Sequence, residues 1–190
     1  SGTMTMSVGQ STTLNNGTGG GNWTSGNTSV ASVNASGEVT GVSAGTALIS
    51  YTLPTGCQKT AVVTVNALPS SIVGNTTLCQ GSTTLLGSAT AGGSWSSSDA
   101  GVAIIGAGTG AVIGSNAGFS IITYTLPTGC YTTTSLVVNS LPDAITGTAT
   151  VCAGSTTQLE SATGGGTWSS ASSVATVSST GVVTGVAAGT

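Results

Sequence analysis

Short stretches in which apolar and hydroxyl side chains alternate recur along the chain. Residues 49–53 (Ile-Ser-Tyr-Thr-Leu) and residues 61–65 (Ala-Val-Val-Thr-Val) are two of them. A period of two places successive side chains on opposite faces, so these stretches predict half-buried β-strands. Glycine-rich runs, such as residues 19–21 and 164–166, separate the stretches and predict turns. No segment has a convincing helical period, and the pattern therefore predicts an all-β protein.

The same landmarks return after about 73 residues. The heptapeptide Tyr51–Cys57 (Tyr-Thr-Leu-Pro-Thr-Gly-Cys) returns as Tyr124–Cys130, and the Leu-Pro pair at 68–69 returns at 141–142. Three tryptophans each stand nine residues after a leucine that follows a Ser-Thr-Thr sequence. Identical residues that recur at one interval are the signature of tandem repeats.

Each repeat is long enough to fold by itself. About 73 residues with about seven short strands is the size of one two-sheet β-sandwich with its own core. The predicted repeats span residues 1–67, 68–140 and 141–190, and the third is incomplete in this sequence. A proline stands in both linkers, residues 67–70 and 140–143. Because proline restricts the backbone, we expect a semi-rigid string of repeats.

One tryptophan stands at the same position of every repeat. It could serve as a platform on which a sugar ring stacks. A single large aromatic side chain on a central strand is, however, what the core of a β-sandwich needs. We therefore predict core positions for Trp23, Trp95 and Trp168.

Charged side chains are nearly absent. The 190 residues include one lysine, four acidic residues and no histidine or arginine, with a formal net charge of -3. Acid–base catalysis, metal binding and nucleic-acid binding all depend on such side chains. The charged residues stand where the other repeats are uncharged, as expected of solvated surface positions: Glu38, Lys59, Asp99, Asp143 and Glu160. We expect no catalytic residue, no cofactor, no metal and no nucleic-acid partner.

The cysteines favour disulfides and an oxidising compartment, because two recur per repeat in a chain without histidine. Two pairings are open. Within a repeat, Cys79 would join Cys130 and leave Cys57 alone, because Ser7 stands where the other repeats have cysteine. Across the linkers, Cys57 would join Cys79 and Cys130 would join Cys152. The second pairing leaves no thiol free and is favoured by parity, although the chain would have to fold back at the linker.

Composition also bears on two further kinds of partner, a membrane and glycans. No stretch approaches the roughly 18 consecutive apolar residues that cross a bilayer, so we expect no membrane insertion within this sequence. Several Asn-X-Ser/Thr sequons occur in the first repeat. A chain this rich in Asn, Ser and Thr produces such matches by composition, and glycans remain an open candidate.

Two blocks of sequence resemble a known family. Residues 92–99 (Gly-Gly-Ser-Trp-Ser-Ser-Ser-Asp) and residues 37–46 (Gly-Glu-Val-Thr-Gly-Val-Ser-Ala-Gly-Thr) are similar to the bacterial Ig-like domain, group 2. The third copy matches best, through residues 166–170, 174–177 and 181–190. The Val-Cys-x-Gly start at 151–154 is similar to repeats of very long surface proteins of Bacteroidota-type bacteria. The middle copy departs from the pattern at residues 104–110, which lengthen a loop. The resemblance implies tandem immunoglobulin-like β-sandwich repeats with a spacer, stalk or adhesin role.

Two functions follow as hypotheses. The first is a structural shaft of a secreted or cell-surface fibre, whose repeats self-associate into filaments because exposed strand edges without charges pair readily. The second is an adhesin whose repeats bind a carbohydrate or protein receptor. Its binding residues would lie in the loops that differ between copies, residues 15–22 and 99–110.

Overall fold

The computed structural model describes residues 3–190 of the chain. These residues form 18 β-strands and no helix, which confirms the all-β prediction. No helix able to cross a membrane therefore occurs in this part of the chain. The chain divides into two compact units, Ser1–Asn139 and Ser140–Thr190.

The first repeat is a sandwich of two sheets. The four-stranded sheet has the order β1-β7-β6-β3 and the three-stranded sheet the order β2-β5-β4, and β1 runs parallel to β7. The strands are β1 (Thr3–Ser7), β2 (Ser11–Thr13), β3 (Asn22–Ser25), β4 (Ala31–Val33), β5 (Glu38–Gly41), β6 (Gly45–Thr52) and β7 (Gln58–Asn66).

The alternation of the sequence decides which side chains enter the core. In β6, Ala47, Ile49 and Tyr51 are buried, whereas Leu48 between them is 46% exposed. The opposite sheet contributes its own inward-facing side chains, as two packed sheets do. The core of this repeat consists of Val30, Ala31, Val39, Ala47, Ile49, Val63 and Val65.

The second repeat has the same topology. Its sheets have the orders β10-β13-β14-β8 and β11-β12-β9. Its strands are β8 (Thr77–Cys79), β9 (Thr83–Leu85), β10 (Ser94–Ser97), β11 (Ala103–Ile105), β12 (Ala111–Gly114), β13 (Gly118–Thr125) and β14 (Tyr131–Asn139). The lengthened loop falls between β11 and β12 and leaves their antiparallel pairing intact. Its core consists of Leu78, Leu86, Trp95, Ala103, Val112, Ile122, Tyr124, Leu136 and Val138.

A tryptophan and a tyrosine lie opposite each other on neighbouring strands of both sandwiches. The ring centroids of Trp23 and Tyr51 are 4.7 Å apart, and those of Trp95 and Tyr124 are 4.6 Å apart. The Tyr124 hydroxyl donates a hydrogen bond of 2.7 Å to the carbonyl of Thr90, and the first repeat has the equivalent bond. Trp95 is 8% exposed, whereas Trp23 is partly buried and packs against the core of the first repeat.

The second unit contains one sheet of order β15-β16-β18-β17. Its strands are β15 (Thr146–Gly147), β16 (Thr156–Glu160), β17 (Ala175–Val177) and β18 (Val182–Gly185). Trp168 lies outside these strands, is half-buried, and lines an open depression with Ile145 and Gly165.

Candidate functional site

The charged side chains lie on the surface, and two of them hold turns. All five are exposed. Asp99 accepts a hydrogen bond of 2.8 Å from the amide of Gly101, and Glu38 accepts one of 2.9 Å from the side chain of Asn34. Between residues 3 and 190, no three His, Cys, Asp or Glu side chains gather into a group that could hold a metal ion.

The buried hydroxyl of Ser120 is fully hydrogen-bonded within the second repeat. Its side chain is 0% exposed and lies 2.7 Å from the Ser97 hydroxyl. It also accepts a hydrogen bond of 3.1 Å from the amide of Asp99. This network closes the turn that follows β10, and it leaves no free polar atom to act on a ligand.

The most specific arrangement of functional groups is the junction between the first two repeats. The Sγ atom of Cys130 lies 2.8 Å from the Oγ atom of Ser7. The same thiol lies 3.9 Å from the carbonyl oxygen of Asn66. Cys130 is 1% exposed, whereas Cys57, its equivalent in the first repeat, is exposed. The thiol of the second repeat is therefore buried at a contact with the first.

Strand geometry brings Ser7 and Asn66 to this junction. The two residues are partners in the parallel ladder of β1 and β7, and both strands end there. The end of the first sandwich therefore presents a hydroxyl and a carbonyl side by side. No motif in the sequence points to Asn66, and Ser7 stands out only as the residue that replaces a cysteine of the other repeats.

A tight hairpin presents Cys130 to that end. The amide of Leu126 donates a hydrogen bond of 2.8 Å to the carbonyl of Cys130. The hairpin of the first repeat has the same bond, 2.9 Å long, between Leu53 and Cys57. Because the heptapeptides are identical, both hairpins place their cysteine at the same position, one residue before the last strand of the repeat.

All four cysteines carry free thiols in the described part of the chain. Cys79 pairs with Asn139 at the end of β14, whereas Cys130 precedes the start of that strand. Nine residues of extended strand separate the two ends by about 30 Å. Topology therefore keeps Cys79 and Cys130 far apart, and a within-repeat disulfide does not fit this fold.

The structure does not bring Cys57 and Cys79 together either. Cys57 lies at the hairpin end of the first repeat, about 30 Å along β7 from Asn66 and the junction. Cys79 lies at the end of the second repeat that is remote from the junction. The linker pairing predicted from parity would need both cysteines at the junction, and neither of these two is there.

Comparison with known proteins identifies the first repeat. Residues 1–65 match the family model of the bacterial Ig-like domain (group 2). That match covers 65 of the 190 residues. A comparison with curated protein sequences gives no significant match. The second Ig-like repeat has the same strand order and the same tryptophan–tyrosine contact as the first.

Several solved structures contain similar folds. One is the C-terminal 282-residue fragment of intimin, which was solved with the intimin-binding domain of the translocated intimin receptor. The two sequences are 17% identical, the alignment covers 64% of this chain and 53% of the intimin fragment, and the TM-score is 0.43. Invasin, a bacterial integrin-binding protein, is 15% identical, with 65% and 32% covered and a TM-score of 0.41. The S-layer protein SbsC is 23% identical, with 75% and 23% covered and a TM-score of 0.27. The chain spans about half of the intimin fragment and less of the other two.

The two complete Ig-like repeats differ on the outer face of their three-stranded sheets. In the second repeat, Leu85, Ile104 and Ile113 are 66%, 50% and 47% exposed. Ile104 lies directly opposite Ile113 in the ladder of β11 and β12. We call these three residues the outer apolar patch. The equivalent residues of the first repeat are polar: Thr13, Ser32 and Thr40.

Proposed function

We propose that these repeats form the shaft of a secreted or cell-surface fibre. The first support is chemical, because the five charged side chains are all exposed and, between residues 3 and 190, no three His, Cys, Asp or Glu side chains form a group that could hold a metal ion. The family match of the first repeat agrees with a modular, non-catalytic region. A shaft needs many similar modules in line more than it needs a reactive site.

The observation that carries this proposal is the buried junction. The first and second repeats together make one compact unit, Ser1–Asn139, and the Cys130 thiol is buried where they meet. Domains joined only by a flexible linker are expected to move independently. A hairpin seated against the end of the preceding sandwich restricts that motion, as a stiff shaft requires.

Self-association is proposed from the strand edges. The edge strands of the sheets are β1, β3, β2 and β4 in the first repeat and β10, β8, β11 and β9 in the second. None of these edge strands contains a charged residue. The two charged residues that lie within strands of these repeats, Glu38 and Lys59, are on the central strands β5 and β7. Proteins usually protect such edges with charges, particularly lysine. Uncharged edges can add a strand from a neighbouring copy through main-chain hydrogen bonds.

Electron microscopy of the native protein tests the shaft. We expect filaments or bundles whose axial period corresponds to whole repeats, roughly 30–40 Å each, as the length of a nine-residue strand plus its turns implies. Flexible strings of separate beads without ordered contacts would reject the fibre and leave a simple spacer.

The second candidate function is adhesion, and the outer apolar patch favours it. Apolar side chains clustered on one repeat but not on its neighbour are typical of protein interaction sites. The partner would be a protein, since a carbohydrate would be recognised mainly through polar groups. The variant Leu85→Thr/Ile104→Ser/Ile113→Thr copies the first repeat and provides the test. Loss of binding to a receptor-bearing cell, with filaments unchanged, would favour adhesion over the shaft.

A further inference from the structure

Both sandwiches hold a tyrosine ring in the same small set of groups. In the second repeat, the Tyr124 ring contacts Trp95, and its hydroxyl accepts a hydrogen bond of 2.8 Å from the amide of Gly93. The same hydroxyl donates one of 2.7 Å to the carbonyl of Thr90. The first repeat holds Tyr51 in the same way. We call this set the tyrosine cradle: a tryptophan ring, the glycine amide two residues before it and the threonine carbonyl five residues before it.

The second unit contains the same three groups at the same spacing, on Thr163, Gly166 and Trp168. The turn between them has the same backbone conformation. Gly165 has a φ of 81°, and the equivalent glycines of the two sandwiches have φ values of 83° and 87°. In the second unit these groups line the open depression, which has a volume of about 640 Å³ and lies within residues 142–179. The cradle of the second unit therefore faces the surface.

The glycine of the cradle carries the clearest sign of an occupant. A β-carbon at Gly21 would lie 2.5 Å from the Tyr51 ring, and one at Gly93 would lie 2.6 Å from the Tyr124 ring. A β-carbon at Gly166 would meet no atom within 4 Å, and the φ of Gly166 lies outside the left-handed region. The described neighbours of Gly166 therefore do not require glycine there, whereas a tyrosine ring in the cradle would.

The backbone beside this cradle is also open to a partner. In the second repeat, β10 pairs antiparallel with β13, and Trp95 lies directly opposite Tyr124. The equivalent segment of the second unit, residues 167–170, belongs to none of the strands described there. Main-chain groups of such a segment can pair with an added strand. The register of the second repeat would place a tyrosine of that strand opposite Trp168.

We propose that the second unit binds a tyrosine side chain carried by an extended, uncharged strand of a partner protein. The phenol ring contacts Trp168, and its hydroxyl accepts a hydrogen bond from the amide of Gly166 and donates one to the carbonyl of Thr163. The strand itself pairs with residues 167–170. Asp143 lines the same depression and disfavours an acidic strand. This inference goes beyond the proposed shaft and does not depend on it.

A synthetic peptide is the probe for the cradle. It has the sequence of residues 118–129 (Gly-Phe-Ser-Ile-Ile-Thr-Tyr-Thr-Leu-Pro-Thr-Gly), which carries a tyrosine on a strand that pairs in this way within the second repeat. We expect the peptide to shift the NMR signals of the Gly166 amide and the Trp168 indole N–H of the 190-residue chain, and to do so saturably. The absence of a saturable shift would overturn the proposal.

The Tyr124→Phe form of the peptide removes only the hydroxyl. We expect it to bind at least about ten-fold more weakly, because a site built around a hydroxyl leaves its own polar groups unpaired with a ligand that lacks one. Equal affinity of the two peptides would overturn the assignment of Thr163 and Gly166. Both measurements use the unaltered chain, so they do not depend on whether a variant folds.

Two glycine variants of the chain test the position of the ring. Gly166→Ala should fold as the unaltered chain does, since the added carbon meets no atom, but should bind the tyrosine peptide at least about ten-fold more weakly because the carbon takes the place of the ring. Gly164→Ala is the matched control. Its added carbon also meets no atom, and it copies Ala91 of the second repeat, whose cradle does hold a tyrosine.

We expect Gly164→Ala to keep its affinity for the peptide, with both variants melting at the temperature of the unaltered chain. Equal affinity of the two variants would overturn the proposed ring position. The chain alone provides the last check. A shift of the Gly166 amide that grows with the concentration of the chain, without peptide, would show that a second copy fills the cradle and would overturn the assignment to a partner protein.

Discussion

At the scale of single residues, the tryptophan of each repeat packs over a glycine with a left-handed backbone. Gly37, Gly110 and Gly181 have φ angles of 83°, 72° and 85°. A β-carbon at Gly110 would lie 3.1 Å from the Trp95 ring and would collide with the carbonyl oxygen of Leu86. Position 110 therefore requires glycine for two reasons: the backbone has a positive φ, and there is no space for a β-carbon.

We therefore expect Gly110→Ala to destabilise the protein by about 2–4 kcal/mol, because strain at positive φ adds to the collision with Leu86. Gly129→Ala is the control. Its φ is 84°, but no atom lies within 4 Å of the added carbon, so only the backbone strain of about 1 kcal/mol remains. Denaturant unfolding of the two variants measures both values, and equal losses would contradict the packing role of Gly110.

The tryptophans should differ in their contribution to stability. Trp95→Ala removes a ring that is 8% exposed and should lower the free energy of unfolding by about 3–5 kcal/mol. Trp168→Ala removes a half-buried ring and should cost about 1–2 kcal/mol. Calorimetry of the full chain compares the two. A larger loss for Trp168 than for Trp95 would contradict the prediction that the less buried ring contributes less to stability.

At the scale of elements, local pattern was sufficient to predict the strands. Residues 49–52 lie in β6 and residues 61–65 in β7, and Leu53 follows the end of β6. Burial alternates in both segments as a period of two requires, because one face of the sheet packs and the other meets water. Of the loop predicted at residues 104–110, residues 106–110 lie between β11 and β12, whereas residues 104 and 105 end β11.

The junction could not be predicted in the same way, since it depends on strand direction. The disulfide pairing across the linkers was favoured only because it leaves no cysteine unpaired. The number of cysteines carries no information about strand direction, and β8 runs parallel to β14. That direction places Cys79 at one end of the sandwich and Cys130 at the other. The contact between Cys130 and Ser7 also requires two folded repeats to meet, which no local pattern in either repeat describes.

Edge strands provide the next prediction. Ser96 lies on edge strand β10 and Ser135 on central strand β14 of the same sheet, and both are exposed. Each change to lysine should alter the free energy of unfolding by less than about 0.5 kcal/mol. Ser96→Lys should nevertheless reduce lateral assembly, because a charge on an edge opposes strand addition.

Sedimentation of the two variants under identical conditions measures this difference. Ser135→Lys carries the same charge away from an edge and should assemble as the unaltered chain does. Equal loss of assembly in both variants would indicate that net charge, and not edge pairing, controls association.

At the scale of the whole molecule, the scarcity of charge determines how copies can meet. Charged residues make up 3% of the chain, against about a quarter in ordinary soluble proteins. Repulsion between copies is therefore weak at any salt concentration. Main-chain hydrogen bonds and apolar contacts remain as the forces that hold an assembly together.

Salt concentration distinguishes an assembly held by ion pairs from one held by main-chain hydrogen bonds and apolar contacts. Raising the ionic strength from about 0.01 M to 1 M shortens the Debye length from about 30 Å to about 3 Å and would dissolve an assembly held by ion pairs. Hydrogen-bonded strand edges carry no net charge, and apolar contacts are not weakened by screening. We therefore expect the assembled fraction, measured by light scattering and sedimentation, to stay constant or rise over this range. Dissociation on adding salt would contradict edge pairing and point to contacts made by the five charged side chains, whose positions differ from one repeat to the next.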